Sequence, residues 1–264
     1  VLVRGNSLNS LANGPGVKAV EESLLYRPSM DVSVPLIRAP EVWSALGVEP
    51  FANPADLSKL AAIKVGVIDT GILETHPFIA SCRAAGSIEH DVFFSGTGTA
   101  AFGPTIFFDH GTHVAGTIGG CPTAGPFTVG DTALTLHGAF SDAMSGVAPG
   151  VTLHDYNVFP GYGAGFIAFG GSAFSHDIIA AVEKAVSDGM DVINLSLGGG
   201  VQGPHDTLSE AINAAVNAGT IAVIAAGNSG PGILTVESPG NAANAITAGA
   251  STNPHYLAID VVTS

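Results

Sequence analysis

Two hydrophobic periods alternate along the second half of this 264-residue chain. Val151 to Phe159 is a run of strand length. Ser175 to Asp188 repeats its apolar positions at helical spacing, with Ile178, Ile179, Val182, Ala185 and Val186 on one face. Ser175 is placed to cap the start of that helix and Gly189 to end it. Val192 to Leu197 reads as a strand. Thr207-Leu208-Ser209-Glu210 has the form of a capping box and opens a helix that Gly219 closes. Ile221 to Ala226 and Asn244 to Ala250 are two more strands. Upstream, Ala61 to Asp69 is a buried strand running into a turn at Thr70-Gly71. Strands separated by helices need crossover connections, so the pattern predicts an α/β fold with a mainly parallel sheet and helices on both faces.

The remaining stretches carry weaker signals. Residues 83–107 and 119–145 are rich in Gly, Thr, Ala and Pro and read as long surface loops, as does Gly161 to Ser172. Residues 1 to about 60 carry scattered Pro and Asn around short apolar pieces, Gly16 to Val20 and Val34 to Trp43. There is no internal repeat.

Composition narrows the classes. With 46% hydrophobic and 11% charged residues the chain can bury a substantial core and is not a disordered polymer. A formal net charge of −14 disfavours nucleic-acid and anionic membrane-surface partners. The longest apolar run, Ile221 to Ala226, falls far short of the roughly 18 residues of a membrane-spanning helix. The chain begins at Val1, so the lack of a visible signal peptide is no argument for the cytoplasm. Cys82 and Cys121 are the two cysteines; either they bridge in an oxidising compartment or they are two unrelated buried thiols.

In an open parallel sheet, functional residues gather at the carboxyl ends of strands. Asp69 ends a strand and begins a turn; an Asp there is also simply a good turn residue. His110-Gly111-Thr112-His113-Val114-Ala115-Gly116 places two histidines three apart on a helix. Zinc helices usually space them four apart with a Glu between. The other readings of His110 are a buried structural histidine and a general base oriented by a carboxylate. Asn228, in Ala226-Gly227-Asn228-Ser229-Gly230, follows a strand and could donate to an oxyanion or merely occupy a turn. The order Asp, His, Asn is more informative than any one of them. A dinucleotide site is excluded at Val65 to Ile72, which has no Gly-x-Gly-x-x-Gly.

At these residues the chain resembles the subtilisin-like serine proteases, or subtilases. Val67-Ile68-Asp69-Thr70-Gly71-Ile72 is similar to their aspartate motif and His110 to Gly116 to their histidine motif. Gly146-Val147-Ala148-Pro149-Gly150 resembles the turn before their next strand. Asn194-Leu195-Ser196-Leu197-Gly198-Gly199 resembles their substrate-binding strand and Ala226-Gly227-Asn228 their oxyanion site. The resemblance implies a three-layer α/β/α domain acting as a secreted serine endopeptidase on polypeptides, with no cofactor required. Asp69 would orient His110, His110 would be the general base, and Asn228 would donate to the oxyanion. The backbone at Ser196, Leu197 and Gly198 would pair with substrate as an added strand. His113 would not be catalytic. Glu237, before Ser238-Pro239, would fall near the base of the primary specificity pocket and favour a basic side chain; its other reading is a solvated surface carboxylate.

The chain departs from the family where the nucleophile is concerned. The family serine sits in a Gly-Thr-Ser-Met-Ala motif downstream of the oxyanion Asn, and no such motif occurs here. Thr263-Ser264 follows Val262 rather than Gly, so the role is not carried onto Ser264. The expectation is a catalytic domain, residues 31–252, cut before its C-terminal part and inactive on its own. Residues 1–30, with Pro15 to Val20 and Tyr26-Arg27-Pro28, resemble the end of an inhibitory propeptide, an intramolecular inhibitor. Residues 253–264 resemble the entry to a protease-associated insert domain. Structural calcium is common in the family, but Asp91, Asp109, Asp131 and Asp142 show no ligand spacing, so no metal site is assigned. The rival readings are a non-catalytic peptide-binding pseudoprotease and a metal-dependent hydrolase built on His110 and His113.

Overall fold

The computed structural model describes residues 30–93, 109–124, 127–129, 132–134, 143–159, 172–200, 203 and 205–251. All but the last residue of the stretch read as propeptide end (1–30), all of the insert entry (253–264) and all but the last residue of the loop Gly161 to Ser172 lie outside the described residues, as do Asp131 and Asp142. Helices α1 (Met30–Leu36) and α2 (Ala39–Ala45) and a 3-10 turn (Pro54–Lys59) precede β1 (Lys64–Asp69). Then come α3 (Pro77–Ala80), β2 (Glu89–Val92) and α4 (Asp109–Gly119). Four short strands follow: β3 (Thr123–Ala124), β4 (Phe127–Val129), β5 (Thr132–Leu134) and β6 (Ala143–Met144). The remainder is β7 (Thr152–Asn157), α5 (Ser175–Ser187), β8 (Val192–Leu195), α6 (Thr207–Asn217), β9 (Ile221–Ala225) and β10 (Ile246–Ala248).

The alternation within β1 decides how the sheet is covered. Val65 and Val67 enter one hydrophobic cluster, with Trp43 of α2, Ala115 of α4 and Leu153 of β7. Ile68 enters the other, with Tyr156 of β7, Ile178 and Val182 of α5 and Ile212 of α6. A strand with apolar residues on both faces needs helices on both faces, and the α/β expectation is met in this form. The six strands run in the order β10-β9-β8-β1-β7-β2, and every pairing is parallel. The registers Val67↔Asp155 and Asp69↔Asn157 set β1 against β7, and Val67↔Asn194 sets it against β8.

Several boundaries shift, each for a local reason. The strand expected from Ala61 starts at Lys64, because residues 61–63 form a turn. The run Asn244 to Ala250 keeps only three residues as strand. The α6 cap is Asp206, not Thr207: its Oδ1 accepts the Leu208 and Ser209 amides, both at 3.1 Å. A carboxylate one residue upstream takes both donors, so Glu210 is free to bond His205 instead. Ser175 is the first residue of α5 rather than its cap; Phe174 holds that position and makes no side-chain cap bond. β2, inside a stretch read as loop, is the polar sequence Glu-His-Asp-Val. Cys82 and Cys121 are bridged, with Cα atoms 5.5 Å apart, which resolves the two readings of the pair. The bridge ties the chain just after α3 to the chain just after α4, the helix that begins at Asp109-His110.

Candidate functional site

β1 delivers Asp69 to the carboxyl edge of the sheet with its side chain fully buried. The following turn is fixed by side chains on two elements. Thr70 N–H donates to Asp69 Oδ1 at 2.7 Å, Gly111 N–H to Thr70 Oγ1 at 2.9 Å, and Leu73 N–H to Thr112 Oγ1 at 2.8 Å. The last two bonds dock the first turn of α4 onto the loop. The docking requires glycine at 111: a Cβ there would lie 2.3 Å from Gly71 O.

That contact brings His110 over Asp69. His110 Nδ1 lies 2.7 Å from Asp69 Oδ1 and 3.0 Å from Oδ2. A carboxylate only accepts, so Nδ1 carries the proton and Nε2, across the ring, holds the free lone pair. The Asp69 hydrogen bond raises the His110 pKa above its ordinary value, partial burial opposes this, and the Asp69 charge adds to the rise. The imidazole side chain is 56% exposed beside a fully buried carboxylate. It can therefore exchange protons with whatever occupies the adjacent cleft.

The cleft has a volume of about 970 Å³ and is lined by Thr70, His110, Ser196, Leu197, Gly198 and Asn228, among others. Ser196 to Gly198 continue β8 beyond its last ladder pair, and no strand among the described residues pairs with them. Asn228 follows β9 after Gly227, whose φ of +93° suits a residue without Cβ. Six of the seven residues singled out in the sequence thus converge at one edge of the sheet. Glu237 stands behind the cleft wall. Its Oε1 accepts the Asn228 amide at 3.1 Å and the Ser229 hydroxyl at 2.6 Å. A Cβ on Gly198 would lie 2.8 Å from its Oε2 and one on Gly227 2.6 Å away. The Ser229 hydroxyl, then the Asn228 amide, lower its pKa, so it is held as a carboxylate. It is half-buried and hydrogen-bonded to the Asn228–Ser229 turn.

His113 faces solvent and does not converge with His110 on any third ligand among the described residues. The one set of three possible ligands found there is Asp91, His154 and Asp188, within 4.8 Å of one another. Lys184 Nζ already sits 2.5 Å from Asp188 and 3.6 Å from Asp91. An ammonium neutralising two carboxylates beside one histidine does not resemble an all-oxygen calcium cage. Thr70 and Asp155 went unnoticed in the sequence. Thr70 looked like an ordinary turn residue. The signal for Asp155 was present, since His154-Asp155 lies inside a strand buried on both faces.

The chain is similar in sequence to several known proteins. The pattern of the family described as "Peptidase_S8: Subtilase family" matches residues 61–260. The "Minor extracellular protease Vpr" of Bacillus subtilis is 35% identical over 233 residues, covering 86% of this chain and 24% of that protein. The "Alkaline protease" of Alkalihalobacillus alcalophilus is 31% identical over 245 residues, covering 92% of this chain and 52% of that protein. "Subtilisin Savinase" of Lederbergia lenta is 34% identical over 191 residues, covering 72% and 56%. The chain therefore spans between a quarter and a little over half of these relatives. Among solved structures, the "Prenylagaramide maturation protease PagA" overlaps 79% of this chain and 57% of that one at a TM-score of 0.48 and 20% identity. The fold assignment rests on the sheet order and not on that overlap.

Proposed function

The chain belongs to the subtilase family, and from that premise we propose that it forms the Asp- and His-bearing part of a secreted serine endopeptidase. The observation that carries the reading is the 2.7 Å contact of exposed His110 with fully buried Asp69 on the wall of a cleft. In this reading the serine hydroxyl gives its proton to His110 Nε2 as its oxygen attacks the peptide carbonyl. Asp69 stabilises the imidazolium without taking the proton, which then passes to the leaving amine. Asn228 donates to the tetrahedral oxyanion; such a donor is worth roughly 2.7–4 kcal/mol, a magnitude measured in a subtilisin itself. Substrate backbone pairs with Ser196, Leu197 and Gly198. Glu237, behind Gly198 and Gly227, biases the primary pocket toward a basic side chain.

The serine of this reading comes from outside the 264 residues, which contain no Gly-Thr-Ser-Met-Ala motif. Residues 1–30 are read as the end of an inhibitory propeptide and 253–264 as the entry to an insert domain. Reading the source DNA beyond the Ser264 codon tests this directly. The proposal expects the frame to reach a Gly-Thr-Ser-Met-Ala motif, and the encoded protein to hydrolyse casein in a manner abolished by Asp69→Asn or His110→Ala. Unchanged hydrolysis in either variant rejects the assigned roles. For Glu237, Glu237→Gln in that protein lowers the rate ratio of Lys to Phe substrates; an unaltered ratio removes it from the pocket.

A further inference from the structure

Asp69 has a neighbour that the proposed chemistry does not use. Asp155, on the adjacent strand β7, is 1% exposed and pairs in register with Val67, two residues before Asp69 on the same face of the sheet. Its Oδ2 accepts the Ile72 amide at 3.1 Å. Its Oδ1 has no hydrogen-bond partner among the described residues. A buried carboxylate is costly unless paired, and the pairing comes from β2: His90, directly across the ladder, places Nδ1 2.7 Å from Asp155 Oδ2. His90 Nε2 in turn lies 3.8 Å from Glu74 Oε2, in the loop that follows β1. The turn from Asp69 to Leu73 is therefore held from two sides. Thr70 and Leu73 bond to α4, and Ile72 bonds to Asp155. Without the second tie, the turn beyond the Asp69 carbonyl, which accepts the Val158 amide at 3.0 Å, would be fastened through the bonds to the helix whose position it is meant to set.

We propose that Asp155, charge-compensated by His90, is a positioning residue that fixes the turn after β1 and so aims the Asp69 carboxylate at His110. The inference rests on the reading of Asp69 and His110 as a working pair. The charged groups facing His90 are Asp155 and Glu74, and both favour its protonated form, the Asp155 hydrogen bond most strongly. Burial pushes the Asp155 carboxyl up, while His90 and the Ile72 amide pull it down and Asp69 pushes it up. The imidazolium–carboxylate form keeps both groups bonded at the observed 2.7 Å. As pH rises past the raised His90 value, Asp155 loses its counter-charge and its hold on Ile72 changes.

The test is nuclear magnetic resonance on the full 264-residue chain, following the His110 ring through a pH titration. In the unmodified chain the Ile72 amide proton shifts along the His90 titration curve; an Ile72 amide indifferent to His90 overturns the proposal without any variant. Asp155→Asn keeps both hydrogen bonds, its amide oxygen at the Oδ2 position accepting from the Ile72 amide and from His90 Nδ1–H, so His110 retains its downfield Nδ1–H resonance and its proton affinity within about twofold. Asp155→Ala removes both; the downfield resonance is lost and the His110 proton affinity falls about tenfold. If Asp155→Ala affects His110 no more than Asp155→Asn does, the role is bulk charge and the positioning proposal fails. Asp69→Asn separates the two levels of inference. If it leaves His110 unchanged, the Asp69–His110 pair itself fails and the positioning role falls with it. If it lowers the His110 proton affinity while Asp155→Ala does not, only the positioning role fails.

Discussion

Replacing Gly111 with alanine probes the closest contact in the site. The new Cβ would lie 2.3 Å from Gly71 O, 3.0 Å from Gly71 N and 3.1 Å from Gly71 C, all backbone atoms. Real contacts of this kind do not fall below 3.0 Å, so α4 and the turn must separate by about 0.7 Å. The turn is held to β7 and its continuation through Ile72 and the Asp69 carbonyl, so much of that movement falls on the helix and stretches its bonds to Thr70 and Leu73. A shift of that size carries the 2.7 Å His110–Asp69 contact to the outer limit of a hydrogen bond. Overpacking costs about 1–3 kcal/mol, and the better helix propensity of alanine returns about 1. The expected net loss of stability is therefore about 0–2 kcal/mol, small enough to leave a folded protein. The functional signal is larger. His110 should titrate nearer an ordinary imidazole, about 6.5, and in an active longer protein a displacement approaching 1 Å can lower turnover by about 10²-fold. Gly116→Ala is the control: its Cβ would meet side chains rather than backbone, the Phe78 ring edge at 3.2 Å and Ile79 Cδ1 at 4.0 Å. Urea unfolding measures stability, and nuclear magnetic resonance follows His110 in both variants. A Gly111→Ala protein whose His110 titrates as in the unmodified chain would refute the docking argument.

Two further outcomes follow from groups around the same helix. The Cys82–Cys121 bridge closes a loop of sequence separation 39, so its removal as a Cys82→Ala/Cys121→Ala pair should cost ~4 kcal/mol by the loop-entropy relation; a loss under about 1 kcal/mol in guanidinium unfolding would count against it. His110 and His90 both have folded-state pKa values raised, chiefly by hydrogen bonds to Asp69 and Asp155. Such groups contribute stability that is complete below about pH 6.5 and is lost as pH rises through their raised values. The urea midpoint should fall across that interval, and a His90→Gln/His110→Gln pair should flatten the fall; an identical slope in the pair would exclude these histidines as its source.

What the sequence disclosed depended on whether a signal was local. α5 and α6 are amphipathic and bounded by glycines, and β1, β8 and β9 are apolar runs ending in turns, so periodicity and punctuation sufficed for them. The edge strand β2 was hidden because Glu-His-Asp-Val offers neither an apolar run nor clean alternation. It is a strand because β7 pairs with it and because His90 meets Asp155 across the ladder. The helices from Met30 to Ala45 were hidden for a different reason. Each is seven residues long and contains a proline, too short for a helical period to declare itself. Asp206 took the cap from Thr207 because two adjacent residues could serve, and only geometry chooses between them. At the site, the motif order brought out Asp69, His110 and Asn228, whereas Asp155 emerged only when the register set it beside Asp69 on one face.

The same contrast explains why α4 is a helix at all. Its sequence, Asp-His-Gly-Thr-His-Val-Ala-Gly-Thr-Ile-Gly, contains three glycines, each roughly 1 kcal/mol worse than alanine in a helix interior. An isolated peptide of this composition would not hold the fold. The glycines instead mark where α4 must approach other groups closely. Gly111 touches the Asp69 turn, Gly116 the Phe78 ring, and Gly119 the Arg83 guanidinium and Val151. At its far end Arg83 donates to Gly119 O at 2.6 Å, and Cys121 is tied covalently to Cys82. Tertiary contacts and one covalent link thus replace intrinsic propensity along the whole helix. A helix fixed by its neighbours at both ends places His110 by the positions of those neighbours. On the proposed positioning role, it also makes the Asp69–His110 contact sensitive to changes in the turn, in Asp155 and in the bridge.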